Sequence, residues 1–254
     1  MNIALITGAS SGLGREFARR VAGENAVEEI WAVARREERL LQLAGELPCP
    51  VRPLPMDLTD RESVAALNAL LERERPDIRI LVNAAGMGRM GKTADISDRD
   101  NAEMIELNCR AAVDVTAAAL PYLSRGSRVL ELCSTAGFQP MPGLNVYAAT
   151  KAFLLSYTKA LHHEMLPKGV HVTAVCPYWV KNTEFIANAS ASGRSFRHFP
   201  LASRAETVAR WAMADSRLNL WVSTPGPVCA LHRLAAKFIP HAVMVPLVDM
   251  LRRL

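Results

Sequence analysis

Seven short runs of apolar, mostly β-branched residues recur along the chain, at Ile3–Thr7, Ile30–Ala34, Val51–Pro55, Ile78–Val82, Val129–Leu132, Val170–Cys176 and Leu220–Ser223. Most are apolar at successive positions, the pattern of strands covered on both faces. Between most of them apolar residues return every three or four positions, the spacing of an amphipathic helix. Such βα alternation predicts an α/β fold of Rossmann type. It is a doubly wound parallel sheet of about seven strands, with helices on both faces in three layers and right-handed crossovers. No internal repeat or linker-like break in composition divides the chain, which predicts one domain over residues 1–254.

The helices carry their own punctuation. Ser63 is expected to cap Val64–Arg73, with Asp60 and Glu62 nearby, and Pro76 to stop that helix before the next strand. The longest helical patterns cover 100–123 and 148–166. In the second, Ala149, Ala152, Phe153, Ser156, Ala160 and His163 share one face.

Composition narrows the function classes. The 254 residues are 50% hydrophobic and 22% charged, ordinary proportions for a globular enzyme and far from those of a disordered chain. The formal charge of +5 is spread along the sequence, with one dense cluster at Arg35-Arg36-x-x-Arg39, so nucleic acid is not an expected partner. Five cysteines (Cys49, Cys109, Cys133, Cys176, Cys229) form neither a C-x-x-C pair nor a metal-ligand spacing; no metal is expected, and a reduced, cytoplasmic setting is. The start reads as a strand rather than a signal peptide, and no charge-free window of about twenty apolar residues reads as a spanning helix.

The first strand runs directly into Thr7-Gly8-Ala9-Ser10-Ser11-Gly12-Leu13-Gly14 and then a helical pattern. Glycines in such a turn let the backbone approach a pyrophosphate, whose charge lies against the unpaired amides of the helix N-terminus. With this T-G-x-x-x-G-x-G form the chain resembles the short-chain dehydrogenase/reductase family. After the second strand, where an acid would grip a ribose 2′-hydroxyl, stand Arg35 and Arg36, whose guanidiniums suit a 2′-phosphate; the expected cofactor is therefore NADP(H). The resemblance implies that Asp57, followed by Leu58, meets the adenine. It also implies that Asn83-Ala84-Ala85-Gly86, a variant of the family's N-N-A-G element, lies close to the cofactor.

Tyr147-Ala148-Ala149-Thr150-Lys151 sets a phenol and an ammonium four residues apart on one helix face. Ser134 lies thirteen residues upstream at a strand end, and Asn108 on the long preceding helix. The resemblance, which runs from Ile3 to about Thr183, maps Asn108, Ser134, Tyr147 and Lys151 onto the family's catalytic tetrad. Reduction of a carbonyl builds negative charge on oxygen, so one donor must supply a proton there and a second should hydrogen-bond it; Tyr147 and Ser134 fit. An ammonium at Lys151, together with the nicotinamide cation, is expected to favour phenolate at Tyr147, and Lys151 to hold the nicotinamide ribose. Asn108 is implied to join a proton relay through its main-chain carbonyl and a water. Pro177 and Val180 are implied to meet the nicotinamide carboxamide. The same motif carries two departures, Tyr178 in place of the usual Gly and Thr183 one position late.

The function these residues predict is carbonyl–alcohol interconversion by hydride transfer. Alternatives are a non-catalytic NADP-binding sensor on the same fold and an NAD-preferring alcohol dehydrogenase, which Arg35 discriminates. Residues 184–204 are implied to cover the substrate. Ser190, Ser192 and Gly193 point to a mobile lid, and Trp179, Phe185, Ile186, Phe196 and Phe199 to an apolar pocket for a steroid, acyl or similar carbonyl. Pairing of the two long helices across a two-fold axis predicts a homodimer or homotetramer, with Ala111, Ala112, Ala117, Ala118, Ala119, Ala152 and Ala160 permitting close approach. The apolar tail, Pro225–Leu254, is expected to pack over the cleft or on a neighbouring subunit, in preference to lying on a membrane.

Overall fold

The structure, a computed structural model, describes residues 1–24, 26–190 and 201–253. The chain alternates from its first residues: β1 (Asn2–Thr7), α1 (Gly12–Ala22), β2 (Glu29–Ala34), α2 (Glu37–Glu46), β3 (Val51–Pro55), α3 (Arg61–Glu74), β4 (Asp77–Asn83). It continues through α4 (Asp98–Ile105), a π-helical turn over Glu106–Ala111, α5 (Ala112–Ala119), β5 (Arg128–Leu132), α6 (Asn145–Met165) and β6 (His171–Val175). Then come β7 (Val180–Lys181), α7 (Phe185–Ala189), β8 (Ser203–Arg204), α8 (Ala205–Arg217), β9 (Val222–Ser223), α9 (Pro227–Phe238) and α10 (His241–Arg253). Seven strands form one parallel sheet in the order β3-β2-β1-β4-β5-β6-β9, and the short β7 and β8 pair separately. This is the doubly wound Rossmann-type sheet that the apolar runs predict.

Alternation along β1 shows why Ile3–Ile6 are all apolar. Ala4 and Ile6 pack with Phe17, Leu43, Val208 and Met213 of α1, α2 and α8 on one face of the sheet. Ile3 and Leu5 pack with Leu67, Leu71, Val115 and Leu161 of α3, α5 and α6 on the other. Each fully buried side chain of this kind contributes about 1.5–3 kcal/mol relative to exposure, so both faces of the strand hold their layers.

Two helix expectations change in detail. Asp60, not Ser63, is the N-cap of α3: its carboxylate accepts from the Glu62 and Ser63 amides at 3.2 and 3.0 Å, and from the Ser63 hydroxyl at 3.0 Å. A carboxylate serving two amides caps more strongly than a hydroxyl, which moves the start upstream. The pattern over 100–123 becomes α4 and α5 joined by the π turn, which carries Asn108.

The face of α6 bearing Ala149, Ala152, Phe153, Ser156, Ala160 and His163 is exposed. On the other long helix Ala111, Ala112 and Ala119 are instead buried within the subunit, while Ala117 is exposed and Ala118 half-buried. In the tail, Cys229 and Met244 reach inward and the His232 ring lies 5.9 Å from that of Phe138, while Leu231, Leu234, Phe238, Val243, Leu247 and Met250 are exposed among the described residues. Among the described residues no helix is long and apolar enough to cross a membrane.

The tightest contact beneath the substrate side is the seat of the turn Thr135–Phe138 on α6. A methyl at Gly137 would come within 2.7 Å of the Lys151 carbonyl oxygen. Gly137→Ala is therefore expected to destabilise the protein by about 1–3 kcal/mol, a fall in Tm of roughly 2–4 °C per kcal/mol. A thermal melt checks this, and an unchanged Tm would refute the contact.

Candidate active site

Strand order reverses between β1 and β4, so the loops leaving their C-terminal ends diverge and open a crevice. A cavity of about 610 Å³ fills it. The glycine-rich turn forms one wall. Gly8 has φ +67°, and a Cβ there would lie 2.8 Å from the Ala84 carbonyl carbon; one on Gly14 would lie 2.3 Å from the Gly8 oxygen. The turn, α1 and the end of β4 are thus in backbone contact, and only glycine fits. Ser11, the N-cap of α1, makes no side-chain cap hydrogen bond, and the first turn of α1 carries no acid. Ser10, Ser11, Gly12, Leu13 and Gly14 all line the cavity. A helix end of this kind suits an anion.

Beside it, Arg36 Nη2 donates to Ser11 Oγ at 2.9 Å and Ser10 Oγ at 3.3 Å. Arg35 leans the other way, its Nη1 lying 3.4 Å from Glu103 and 3.8 Å from Asp57, with 62% of its side chain exposed. Met56, Asp57 and Leu58 close this end. The turn at Asp57 is braced by its own carboxylate, which accepts from the Thr59 amide at 3.0 Å and hydroxyl at 2.7 Å.

At the opposite end, Tyr147 and Lys151 project from α6 into the cavity, with Ser134 from the end of β5. Tyr147 is 8% exposed and lies beside the Ser134 hydroxyl. Burial pushes its phenol up to about 12, partly offset by that hydroxyl. Lys151 Nζ donates to the Leu132 carbonyl at 2.6 Å and lies 5.8 Å from the Tyr147 ring centroid; burial lowers its pKa. Desolvation dominates at this phenol, and the pull toward phenolate is expected from Lys151 and the nicotinamide cation acting together. Phe185 lies against Tyr147, ring centroids 5.3 Å apart. Met87, Met141, Leu144, Tyr178 and Trp179 complete a largely apolar lining, with Pro177, Val180 and Thr183 beside them.

Asn108 sits behind this wall. Its Oδ1 accepts from the Met87 amide at 2.9 Å, and its Nδ2 donates to the Met87 carbonyl at 2.8 Å and Thr150 Oγ1 at 3.0 Å. Thr150 in turn donates to the Tyr147 carbonyl at 2.7 Å. Asn108 thereby ties the loop after β4 to the turn of α6 that bears Tyr147 and Lys151.

Comparison with known proteins places this architecture. The family described as short chain dehydrogenase matches residues 2–193. The chain belongs to that family. It is an oxidoreductase of that type. It is 39% identical over 190 residues to sulfoacetaldehyde reductase 2 of Chromohalobacter salexigens, covering 72% of this chain and 74% of the relative. To an NADP-dependent 3-hydroxy acid dehydrogenase of Salmonella typhimurium it is 36% identical over 188 residues, covering 72% and 74%. A short-chain dehydrogenase from Sphingobium yanoikuyae, solved in complex with NADPH, superposes with a TM-score of 0.81 at 29% identity, covering 96% of this chain and 95% of that one.

Within this short-chain dehydrogenase fold most of the residues singled out from the sequence converge on the cavity: Gly8 and the turn through Gly14, Arg35, Arg36, Asp57, Leu58, Ala84, Gly86, Ser134, Tyr147, Lys151, Pro177, Val180 and Thr183. Asn83 does not. Its side chain turns away into the layer beneath, where Nδ2 donates to Thr116 Oγ1 at 2.8 Å and Glu131 Oε1 at 2.9 Å. The reason is strand alternation: Asn83 follows Val82 and shares a face with Leu81, on the α3/α5/α6 side. Of the lid residues, Ser192, Gly193, Phe196 and Phe199 lie outside the described residues, while Phe185 and Trp179 are in place.

Sequence reasoning missed Glu131, whose signal was an acid inside an apolar strand. It is fully buried, accepts from Asn83 and from Thr116 Oγ1 at 2.7 Å, and leaves Oε2 without a partner. Thr116 Oγ1 also lies 2.8 Å from the Ala112 carbonyl and has one proton, for which the Ala112 and Glu131 oxygens compete. Burial raises its pKa from 4.5 to about 7, against the two hydrogen bonds and the charge of Lys151. Because the folded pKa lies above the unfolded one, the stabilisation is full below about pH 4.5 and is lost as pH rises through 7. The stability difference between Glu131→Gln and wild type should therefore shift in favour of the variant by on the order of 3 kcal/mol from acid to neutral pH. Urea denaturation across that range measures it; a difference independent of pH would exclude a buried titrating carboxyl.

Proposed function

We propose that the protein is an NADP(H)-dependent oxidoreductase that interconverts a carbonyl and a secondary alcohol, with Tyr147 as general acid and base. One observation carries the reading. A single crevice joins an arginine- and serine-lined anion corner to a buried phenol beside the Ser134 hydroxyl.

The cavity fits a phosphorylated dinucleotide on its own terms. Backbone contacts at Gly8 and Gly14 and the helix end at Ser11 supply the diphosphate cradle. Arg36, already on the Ser10 and Ser11 hydroxyls, suits a 2′-phosphate, with Arg35 at its flank. Asp57 and Leu58 serve the adenine end, and Ala84, Gly86, Pro177, Val180 and Thr183 the nicotinamide end. Bound there, NADPH supplies the hydride.

The chain's own residues do the rest. Tyr147 keeps its proton across the neutral range and passes it to a carbonyl oxygen seated against it, a transfer that the positive charge of Lys151 assists. Ser134 hydrogen-bonds the same oxygen as charge builds there. Lys151, anchored on the Leu132 carbonyl, faces the ribose hydroxyls and supplies positive charge behind the phenol. Asn108 is a positioning residue, since its side chain is spent on Met87 and Thr150. Its main-chain carbonyl, in the π turn, is the group for a proton relay.

The apolar lining favours a hydrophobic carbonyl over the small acids named for the relatives. Arg89, the cation beside this lining, is engaged by Asp100 at 2.9 Å and by the Asn188 carbonyl at 2.9 Å. An anionic substrate would have to displace those partners.

NADPH should bind at least about tenfold tighter than NADH, about 1.4 kcal/mol, and Arg36→Ser should erode that ratio more than Arg35→Ser does. Fluorescence titration decides it, and equal affinities in the unaltered protein would remove the assignment. Tyr147→Phe should still bind NADPH but lose several orders of magnitude in turnover, whereas Lys151→Ala weakens both. A panel of ketones and aldehydes read by NADPH absorbance supplies the assay; near-normal turnover without the phenol would exclude Tyr147 as the acid.

A further inference from the structure

Glu184 stands between β7 and α7 and reaches across the mouth of the crevice to the arginine cluster. Its Oε2 accepts from Arg36 Nη1 at 2.9 Å, and its Oε1 accepts from Arg39 Nη1. Arg36 spends its other terminal nitrogen on Ser10 and Ser11, so one guanidinium links Glu184 to the glycine-rich turn. The paired guanidiniums hold the Glu184 carboxyl below the usual carboxylate range. Glu184, Arg36, Ser10 and Ser11 all line the cavity.

The reading of this corner as a 2′-phosphate site gives that arrangement a consequence. A carboxylate accepts charge-assisted hydrogen bonds from guanidiniums as a phosphate does, and carries the same sign of charge. We propose that Glu184 is a specificity-determining residue: an internal anion that competes with the 2′-phosphate of the cofactor for Arg36. With Glu184 in place, Arg36 and Arg39 together carry one net positive charge toward an incoming phosphate; with it neutralised they carry two. The carboxylate penalises the phosphorylated nucleotide and not its 2′-hydroxyl counterpart, which has no claim on Arg36.

Position adds a second effect. The residue after Glu184 is Phe185, whose ring lies on Tyr147 and whose Cζ would be 2.8 Å from a Cβ on Gly88. One dipeptide therefore grips the phosphate corner with its first residue and covers the phenol with its second. Release of Glu184 from Arg36 frees the anchor of that cover.

The test uses the full chain and Glu184→Gln, which keeps size and hydrogen bonding while removing charge. Its affinities for NADPH, NADH, adenosine 2′,5′-bisphosphate and 5′-AMP are compared with wild type by calorimetry at low and high salt. The exposed ion pairs here set the scale: NADPH and the bisphosphate should tighten about fivefold at low salt and less at high salt, with NADH and AMP within about twofold. Unchanged or weakened NADPH binding in Glu184→Gln, with wild type still preferring NADPH, overturns the role of Glu184 alone. A wild-type protein that prefers NADH, or binds neither, overturns the phosphate corner and this inference with it. An equal gain for NADH also overturns it, since that would report a general opening of the crevice.

Discussion

The structure depends on a place where three stretches of backbone touch. The turn after β1 passes so close to the end of β4 and to the start of α1 that a single methyl at Gly8 or Gly14 would overlap main-chain atoms. That contact fixes α1 against the sheet at the point where strand order reverses, and it leaves the helix amides facing the crevice. Every other part of the site is measured from this corner. The arginines after β2 reach it through the Ser10 and Ser11 hydroxyls, and the Ala84–Gly86 segment lies on its far side.

Burial does the electrostatic tuning at the other end. Tyr147, Lys151 and Glu131 are removed from water within a few residues of the same strand end, and desolvation dominates all three: the phenol and carboxyl are pushed up, the ammonium down. Each shift is toward the neutral form, the direction in which burial acts on any ionisable group. A charged nicotinamide brought into the same space would oppose that shift at the phenol and favour release of its proton. The buried network of Asn83, Thr116 and Glu131 underneath couples β4, α5 and β5, the elements that carry the site.

Much of this was legible in the sequence because it depends on local rules. Apolar strands such as Ile30–Ala34 announce a sheet covered on both faces, and four-residue spacing on a helix guarantees that Tyr147 and Lys151 share a side. What escaped depends on side-chain direction and on distant pairing. Asn83 is adjacent in sequence to cavity residues but faces the opposite layer, in register with Glu131 on β5. Simple period-2 counting from Leu81 would have placed it there. The π turn at Asn108 and the seat of Arg36, rather than Arg35, on the Ser10 and Ser11 hydroxyls follow from how packed elements settle against each other, which short spacings do not encode.

Glu184 illustrates the same limit from the other side. In sequence it is one acid at the start of a presumed lid, separated from Arg36 by 148 positions, and nothing local marks it. In the fold, parallel strand order brings the loop after β2 and the loop after β6 to the same edge of the crevice, so the pair forms through topology alone. The cofactor corner and the substrate cover are contributed by different halves of the chain. An ion pair between them is the most direct link available, and a phosphate entering the corner acts on the cover by competing for that pair. Occupancy at one end of the crevice and access to Tyr147 at the other are then two readings of one electrostatic balance.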